Sequence, residues 1–210
     1  MQITHYGHAC LLVQTGSARL LIDPGIFSSG FESARELTAV LITHQHADHL
    51  DVERLPALLA ANPGVQLITD TASAEQLAER DIEARAVVAG ERLELGGSVV
   101  DAVGGRHAMI HPDLPVIPNV GYLVDDTLLH PGDSFHVPDR PVAVLGVPTG
   151  APWLKAAEAI DYLRAVSPRI AVPIHEAVLA RPQMMYGLLE NLKPDTTTFR
   201  VLPRGEAIEV

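Results

Sequence analysis

The sequence of 210 residues predicts one α/β domain, spanning 1–210, in which two β-sheets pack face to face with helices outside. The first observation is that two strand-rich segments are each followed by helical segments. The second is that no linker, internal repeat or low-complexity stretch interrupts the chain. The third is the composition, 47% hydrophobic and 20% charged, which is typical of a chain that buries a core.

The first half of the chain predicts four-residue to six-residue strands separated by turn residues. Short runs rich in β-branched and apolar residues predict strands over Ile3–Tyr6, Ala9–Gln14, Arg19–Asp23, Ala39–Thr43 and Val65–Thr69. The run Ala39–Thr43 is continuously apolar up to its last residue, as expected for a strand buried on both faces. Asp51 predicts the cap of a helix over Val52–Ala61, and a second helix is expected over Thr71–Arg80.

The second half repeats this plan. Strands are expected over Arg92–Leu95, Val99–Val103, Gly121–Val124, Leu128–Leu129, Val142–Val147, Ile170–Ile174, Thr198–Leu202 and Ala207–Val210. Pro152 is expected to open a helix, because apolar residues follow it at helical spacing and Pro is favoured in the first turn. This favours a place in the helix core for Trp153, the alternative being a platform for substrate. A last helix is predicted over Met184–Leu192.

Net charge and cysteine content limit the kinds of substrate and cellular location that are expected for this protein. The net charge of −11 disfavours binding to a nucleic-acid backbone, so a small-molecule substrate is expected. The chain has one cysteine, Cys10, which follows a turn into an apolar run and is expected to be a small buried residue. No export signal and no apolar run long enough to cross a bilayer is present, which predicts a cytoplasmic protein without membrane attachment. A homo-oligomer is compatible with these features.

The strongest chemical signal is the run His44-Gln-His46-Ala-Asp48-His49, directly after the buried strand Ala39–Thr43. In extended chain, positions two apart face the same way, so His44 and His46 can converge on one ion. After a turn, the side chains of Asp48 and His49 can reach a second position for an ion. Imidazole and carboxylate donors without cysteine suit zinc, manganese or iron.

Further ligands are expected at the ends of later strands. His107, Asp133 and His175 occupy such places. His111, four residues after His107, is the alternative third histidine, and otherwise lines the pocket or is exposed. His130 is expected to pack beside Asp133.

Three more residues carry open alternatives. His8, at the tip of the first hairpin, is either an acid in the pocket or a solvated loop residue. Lys155 or Arg106 could hold an anionic group, the alternative being an ordinary surface position.

Together these motifs resemble the metallo-β-lactamase superfamily. Gly7-His8-Ala9 and Leu21-Ile-Asp23-Pro24 are similar to the branch that contains L-ascorbate-6-phosphate lactonases and related metal-dependent hydrolases. The resemblance implies a four-layer αββα sandwich. It also implies that His44, His46 and His107 hold one ion, that Asp48, His49 and His175 hold another, and that Asp133 bridges them. Asp23 matches an aspartate that hydrogen-bonds a ligand histidine.

The function expected from these residues is metal-dependent hydrolysis at a dinuclear centre. Two divalent ions, zinc first with manganese or iron as alternatives, would activate water against a small-molecule ester, lactone or phosphodiester. Asp48 would orient the nucleophile and His8 would protonate the leaving group. The alternatives are a mononuclear-iron oxidoreductase of the same fold and a metal-binding scaffold without turnover.

Overall fold

Two seven-stranded mixed sheets form the centre of the computed structural model, which describes residues 1–210. The first sheet has the order β14-β1-β2-β3-β4-β5-β6 and the second β13-β12-β11-β10-β9-β8-β7. The strands are β1 (Gln2–Gly7), β2 (Cys10–Thr15), β3 (Ala18–Ile22), β4 (Ala39–Ile42), β5 (Gln66–Thr69), β6 (Arg85–Ala86), β7 (Arg92–Leu95), β8 (Ser98–Gly104), β9 (Val120–Val124), β10 (Leu128–His130), β11 (Val144–Pro148), β12 (Ile170–Ile174), β13 (Thr198–Phe199) and β14 (Ala207–Glu209).

Four helices cover the outer faces of the sheets. They are α1 (Leu55–Ala60), α2 (Thr71–Ala78), α3 (Ala156–Val166) and α4 (Pro182–Leu192). α1 and α2 pack on the first sheet, and α3 and α4 pack on the second. The result is the predicted four-layer αββα sandwich. None of these helices combines the length and apolar character needed to cross a membrane.

Central strands carry apolar side chains on both faces, because one face packs against the other sheet and the opposite face packs under helices. Leu20 and Ile22 of β3 face the central core between the sheets, whereas Leu21 between them packs under α1 and α2. In β4, Leu41 faces the central core and Val40 faces the helices. Since successive side chains of a strand point to opposite faces, such strands read as continuous apolar runs.

Both sheets change from antiparallel to parallel pairing in the same way. β1, β2 and β3 pair antiparallel, and β3, β4, β5 and β6 pair parallel. In the second sheet β7 to β10 pair antiparallel and β10 to β13 pair parallel. The carboxyl ends of the parallel strands therefore collect at one edge of each sheet.

Several predicted boundaries were wrong, and turns explain them. α1 begins at Leu55 rather than Val52, because the Asp51 carboxylate accepts hydrogen bonds from the backbone N–H groups of Glu53 and Arg54 in a preceding turn. α3 begins at Ala156 rather than Pro152, so the proline and the following tryptophan lie in a turn.

The remaining differences lie at ends of elements. α4 begins at Pro182, two residues before the predicted start, and β13 is limited to Thr198–Phe199. β11 covers Val144–Pro148 rather than starting at Val142. The structure also contains a short strand, β6, and a 3-10 turn over Phe31–Ser33, neither of which the sequence pattern predicts.

Candidate metal centre

Strand ends bring the candidate ligands together. Asp23 follows β3, His44 lies two residues beyond β4, and His175 follows β12 directly. The loop after β8 carries His107, and the loop after β10 carries Asp133. Because carboxyl ends of parallel strands meet at one edge of a sheet, residues far apart in sequence become neighbours there.

The side chains form two adjoining groups of possible metal ligands. Cluster 1 contains His44, His46, His107 and Asp133, and cluster 2 contains His8, Asp48, His49 and His175. Within each cluster the candidate ligand atoms lie within 4.8 Å of one another. All seven residues that the sequence analysis assigned to metal binding lie in these clusters, and His8 joins them.

Asp133 lies between the two clusters. Its Oδ1 atom is 3.1 Å from Nε2 of His49 and 3.1 Å from Nε2 of His175. Its Oδ2 atom is 3.3 Å from Nε2 of His107. One carboxylate thus faces ligand atoms of both clusters, which is the position that a bridging group requires.

Four of the candidate ligand histidines make a hydrogen bond through the ring nitrogen that points away from the clusters, and this bond determines their tautomer. Four Nδ1 atoms have protein oxygen atoms as partners: His44 with Thr43 Oγ1 at 3.0 Å, His49 with Asp23 Oδ2 at 2.7 Å, His107 with the Ala108 carbonyl at 2.5 Å and His175 with the Gly150 carbonyl at 2.5 Å. Because these oxygens accept, the proton of each neutral ring is on Nδ1. Each Nε2 then offers a lone pair to the clusters.

These lone pairs are not satisfied by the protein. Nε2 of His49, His107 and His175 and Oδ1 of Asp133 are buried and have no hydrogen-bond partner. Most buried polar atoms of proteins are hydrogen-bonded, so four converging unpaired acceptors call for a cation. Imidazole nitrogen and carboxylate oxygen without thiolate are donors that zinc, manganese and iron accept. The residues therefore fit a divalent metal.

Burial and the charges of neighbouring side chains shift the pKa values of the candidate ligands strongly. Burial lowers the pKa of His44 well below its ordinary value. Burial also opposes protonation of His49, but without a bound cation the charges of Asp133 and Asp23 outweigh it and hold the pKa of His49 well above the usual range, so a metal ion that takes the Nε2 lone pair displaces a proton there. Burial would raise the pKa of Asp133, yet His49 and His175 hold it well below its ordinary value. The carboxylate stays charged at neutral pH.

Asp23 supports His49 from behind. Asp23 Oδ2 accepts from Nδ1 of His49, and Asp23 Oδ1 accepts from the Thr43 backbone N–H at 2.7 Å. The Thr43 hydroxyl donates to Asp23 Oδ2 at 2.8 Å and accepts from His44. The aspartate thus has the hydrogen bond to a candidate ligand histidine that its motif implied.

His8 is held in one tautomer by the opposite pattern. The Ala177 backbone N–H donates to His8 Nδ1 at 3.3 Å, so the ring proton is on Nε2. That N–H donates to Asp48 Oδ2 at 3.0 Å. Burial lowers the pKa of His8, so the neutral ring acts as a hydrogen-bond donor to Asp48. With Nδ1 accepting and Nε2 protonated, His8 orients Asp48 and offers no free lone pair.

Trp153 lies at the site, whereas the sequence favoured a helix core over a substrate platform for it. Its indole N–H donates to Asp133 Oδ2 at 2.8 Å, and its ring meets His107 edge-on with 5.9 Å between centroids. The placement of Trp153 in a helix core was wrong because α3 begins three residues later. The available signal was its position in Gly150-Ala-Pro-Trp153, a turn immediately after the end of β11.

The other histidines lie outside the clusters. His111 is exposed, and its Nδ1 accepts from the Asp113 backbone N–H at 3.1 Å. His130 is fully buried and donates from Nε2 to the Ala9 carbonyl at 2.8 Å. Cys10 is buried as expected, and burial raises the pKa of its thiol well above the ordinary value.

A pocket of about 340 Å³ opens onto both clusters. His46, Asp48, Asp133 and His175 contribute to it. Neither Lys155 nor Arg106 lines this pocket, and both are exposed, in agreement with the alternative of an ordinary surface position. Arg106 lines a separate depression beside Phe135.

Comparison with known proteins agrees with this architecture. A β-lactamase superfamily domain model matches residues 2–175. Protein Rv0786c of Mycobacterium tuberculosis is 52% identical over 215 residues, covering 99% of both chains. A UPF0173 metal-dependent hydrolase of Pyrobaculum arsenaticum is 31% identical, covering 83% of this chain and 84% of its own.

A solved structure shows the same fold at low sequence identity. The metallo hydrolase Igni18 of Ignicoccus hospitalis superimposes with a TM-score of 0.76 and 19% identity, covering 99% of this chain and 97% of its own. The finer resemblance to L-ascorbate-6-phosphate lactonases stays a prediction. From the family model and the relatives together, the chain belongs to the β-lactamase superfamily and, within it, to the UPF0173 family.

Proposed function

We propose that this protein is a hydrolase that binds two divalent metal ions, zinc first among them, and cleaves a small-molecule ester, lactone or phosphodiester. The observation that carries the proposal is the set of buried, unpaired acceptor atoms on His49, His107, His175 and Asp133. They converge in two adjoining clusters that share one carboxylate.

The assignment of ligands follows the two clusters. His44, His46 and His107 would hold one ion, and Asp48, His49 and His175 the other, with Asp133 common to both. Ions bound in such a site lower the pKa of a coordinated water toward neutrality and polarise the bond under attack. Manganese and iron are the alternatives to zinc, because the donors are the same.

The protein side chains would position the reacting groups. The Asp48 carboxylate faces the pocket and has one fixed hydrogen bond, from His8 Nε2. It can therefore accept a hydrogen bond from the attacking water and fix its direction. The proton on His8 Nε2 is a candidate for delivery to the leaving group, and it would pass through Asp48 because it lies on the hydrogen bond between the two residues.

The alternatives have less support. A mononuclear-iron oxidoreductase needs one ion, whereas two clusters flank Asp133. A scaffold without turnover needs no open access, whereas a pocket leads to Asp48 and Asp133. A small substrate is also favoured over nucleic acid by the net charge of −11. A cytoplasmic location and a homo-oligomeric state stay predictions.

The test is hydrolysis by purified protein reconstituted with zinc or manganese. The panel contains an aryl ester, a lactone and a bis-aryl phosphodiester, each measured before and after a chelator and after metal is restored. We expect turnover of at least one substrate that the chelator abolishes and metal restores, and turnover at least roughly a hundredfold lower in Asp133→Asn. Turnover that survives the chelator, or efficient cleavage of structured RNA instead, would contradict the proposal.

A further inference from the structure

Apolar side chains surround the mouth of the metal pocket. Ile26 and Phe27 follow β3, Ile110 lies in the loop between β8 and β9, and Val178 follows β12. Their exposed fractions are 49%, 46%, 40% and 45%, respectively. Four large apolar side chains from three separate loops thus converge on one opening. Contiguous exposed apolar surface of this kind is uncommon on a soluble protein and marks a binding site.

Two further apolar residues, one exposed and one buried, extend these walls. Pro152 and Trp153 line the same pocket, and Trp153 is almost fully buried. The indole N–H is already donated to Asp133, so its ring presents only an apolar surface to an occupant. Phe27 packs edge-on against His8, with 5.2 Å between ring centroids, which connects the apolar wall to the hydrogen bond at Asp48.

No lysine or arginine lines the pocket. The neighbouring cations are engaged elsewhere: Arg54 pairs with Asp51 and Glu32, and Arg204 pairs with Glu176. The charged side chains in the pocket that carry a fixed sign are the carboxylates Asp48 and Asp133. Proteins recognise phosphate and carboxylate groups through arginine or lysine, which this wall lacks.

We propose that this pocket binds an uncharged, apolar group of the substrate and discriminates against phosphorylated or carboxylate-bearing groups. The inference rests on the proposed function, because the walls enclose the proposed metal ligands. Within that function it favours neutral esters and lactones over phosphorylated sugars. An anionic group placed against this apolar wall, away from the metal ligands, would lose its hydration without gaining a lysine or arginine partner.

The first test measures binding without turnover. Trp153 is the single tryptophan, so its emission reports directly on this pocket. We titrate the protein with 1-butanol, 1-hexanol and 1-hexanesulfonate. Affinity should rise about two- to fourfold for each added methylene, and hexanol should bind at least fivefold more tightly than hexanesulfonate. Equal or tighter binding of the sulfonate, or no dependence on chain length, overturns the inference.

The second test adds a cation to the wall. Ile110→Lys should strengthen hexanesulfonate binding at least threefold and weaken hexanol binding. The matched control is Val88→Lys, at a side chain of similar exposure, 53%, that does not line the pocket. It should leave both affinities unchanged. An Ile110→Lys variant that is folded and binds both probes like the unmodified protein also overturns the inference.

The two proposals fail differently. If chelator-sensitive hydrolysis is absent while the alcohols bind as described, the proposed function is wrong and the apolar pocket stands. If hydrolysis is present and the sulfonate binds as well as the alcohol, the proposed function stands and the apolar pocket is wrong.

Discussion

Replacing Asp23 with asparagine changes a single group behind cluster 2 and tests how the protein prepares its ligands. The backbone should tolerate the change, because Asp23 has φ of +49°, a region that asparagine also adopts. The amide can keep one oxygen for the Thr43 backbone N–H. Its NH2 group then faces Nδ1 of His49, which now donates to Asp23 Oδ2 at 2.7 Å.

Two donors cannot share a hydrogen bond, so His49 must move its proton from Nδ1 to Nε2. Nε2 is the atom that faces Asp133 at 3.1 Å and offers its lone pair to the metal. Loss of such a supporting contact lowers metal affinity by about 10- to 100-fold, or about 1.4–2.7 kcal/mol. The Thr43 hydroxyl can still accept from His44, so the affinity of cluster 1 should change by less than about threefold.

The assay is competition for zinc against a chromophoric chelator, which resolves two affinities. The matched control is Asp70→Asn, because Asp70 is an equally buried carboxylate that follows β5 and caps α2. This control should retain both zinc affinities. The reasoning is refuted if Asp23→Asn binds zinc with two unchanged affinities, or if Asp70→Asn loses zinc to the same extent.

Three further predictions concern other positions. Asp133→Asn keeps the side-chain shape but removes the charge that both clusters face, so turnover should fall roughly a hundredfold or more. The free energy of unfolding should change far less. Kinetics measure the first effect and denaturant titration the second. His107→Ala should lose one metal ion per chain, whereas His111→Ala, at an exposed side chain, should lose none; elemental analysis that finds equal losses would contradict the assignment. The hydrogen bond from Arg92 holds the pKa of Asp101 below its ordinary value, so this carboxylate stabilises the fold above about pH 4 and ceases to do so as pH falls through the depressed pKa. Asp101→Asn should therefore cost about 0.5–1 kcal/mol of unfolding free energy at pH 7 and progressively less as pH falls through the depressed pKa, and a loss that is independent of pH would contradict this.

The layered fold was predictable because strand periodicity is local. β4 reads as a continuous apolar run since it is buried on both faces, and the histidines that follow it mark its carboxyl end. The same logic gave His107, Asp133 and His175 at the ends of other strands. They converge because β10, β11 and β12 pair parallel, and because two antiparallel steps, from β10 to β9 and from β9 to β8, give β8 the same direction as β10.

Contacts between distant turns were not predictable in this way. The bond from Trp153 to Asp133 depends on where α3 begins, and Pro152 gave a misleading start signal. The bond from His8 to Asp48 joins residues 40 positions apart. The apolar wall was also missed, because the exposure of loop residues such as Ile110 is decided by tertiary packing and not by local sequence pattern.

The number of metal ions per chain tests the central claim most directly. The protein is loaded with zinc, freed of loosely bound metal by dialysis and measured by elemental analysis, with His107→Ala and His175→Ala alongside to empty clusters 1 and 2 separately. The account predicts close to two ions per unmodified chain and close to one in each variant. One ion or fewer per chain in the unmodified protein would contradict a dinuclear centre around Asp133. So would the loss of both ions from one variant and of neither ion from the other.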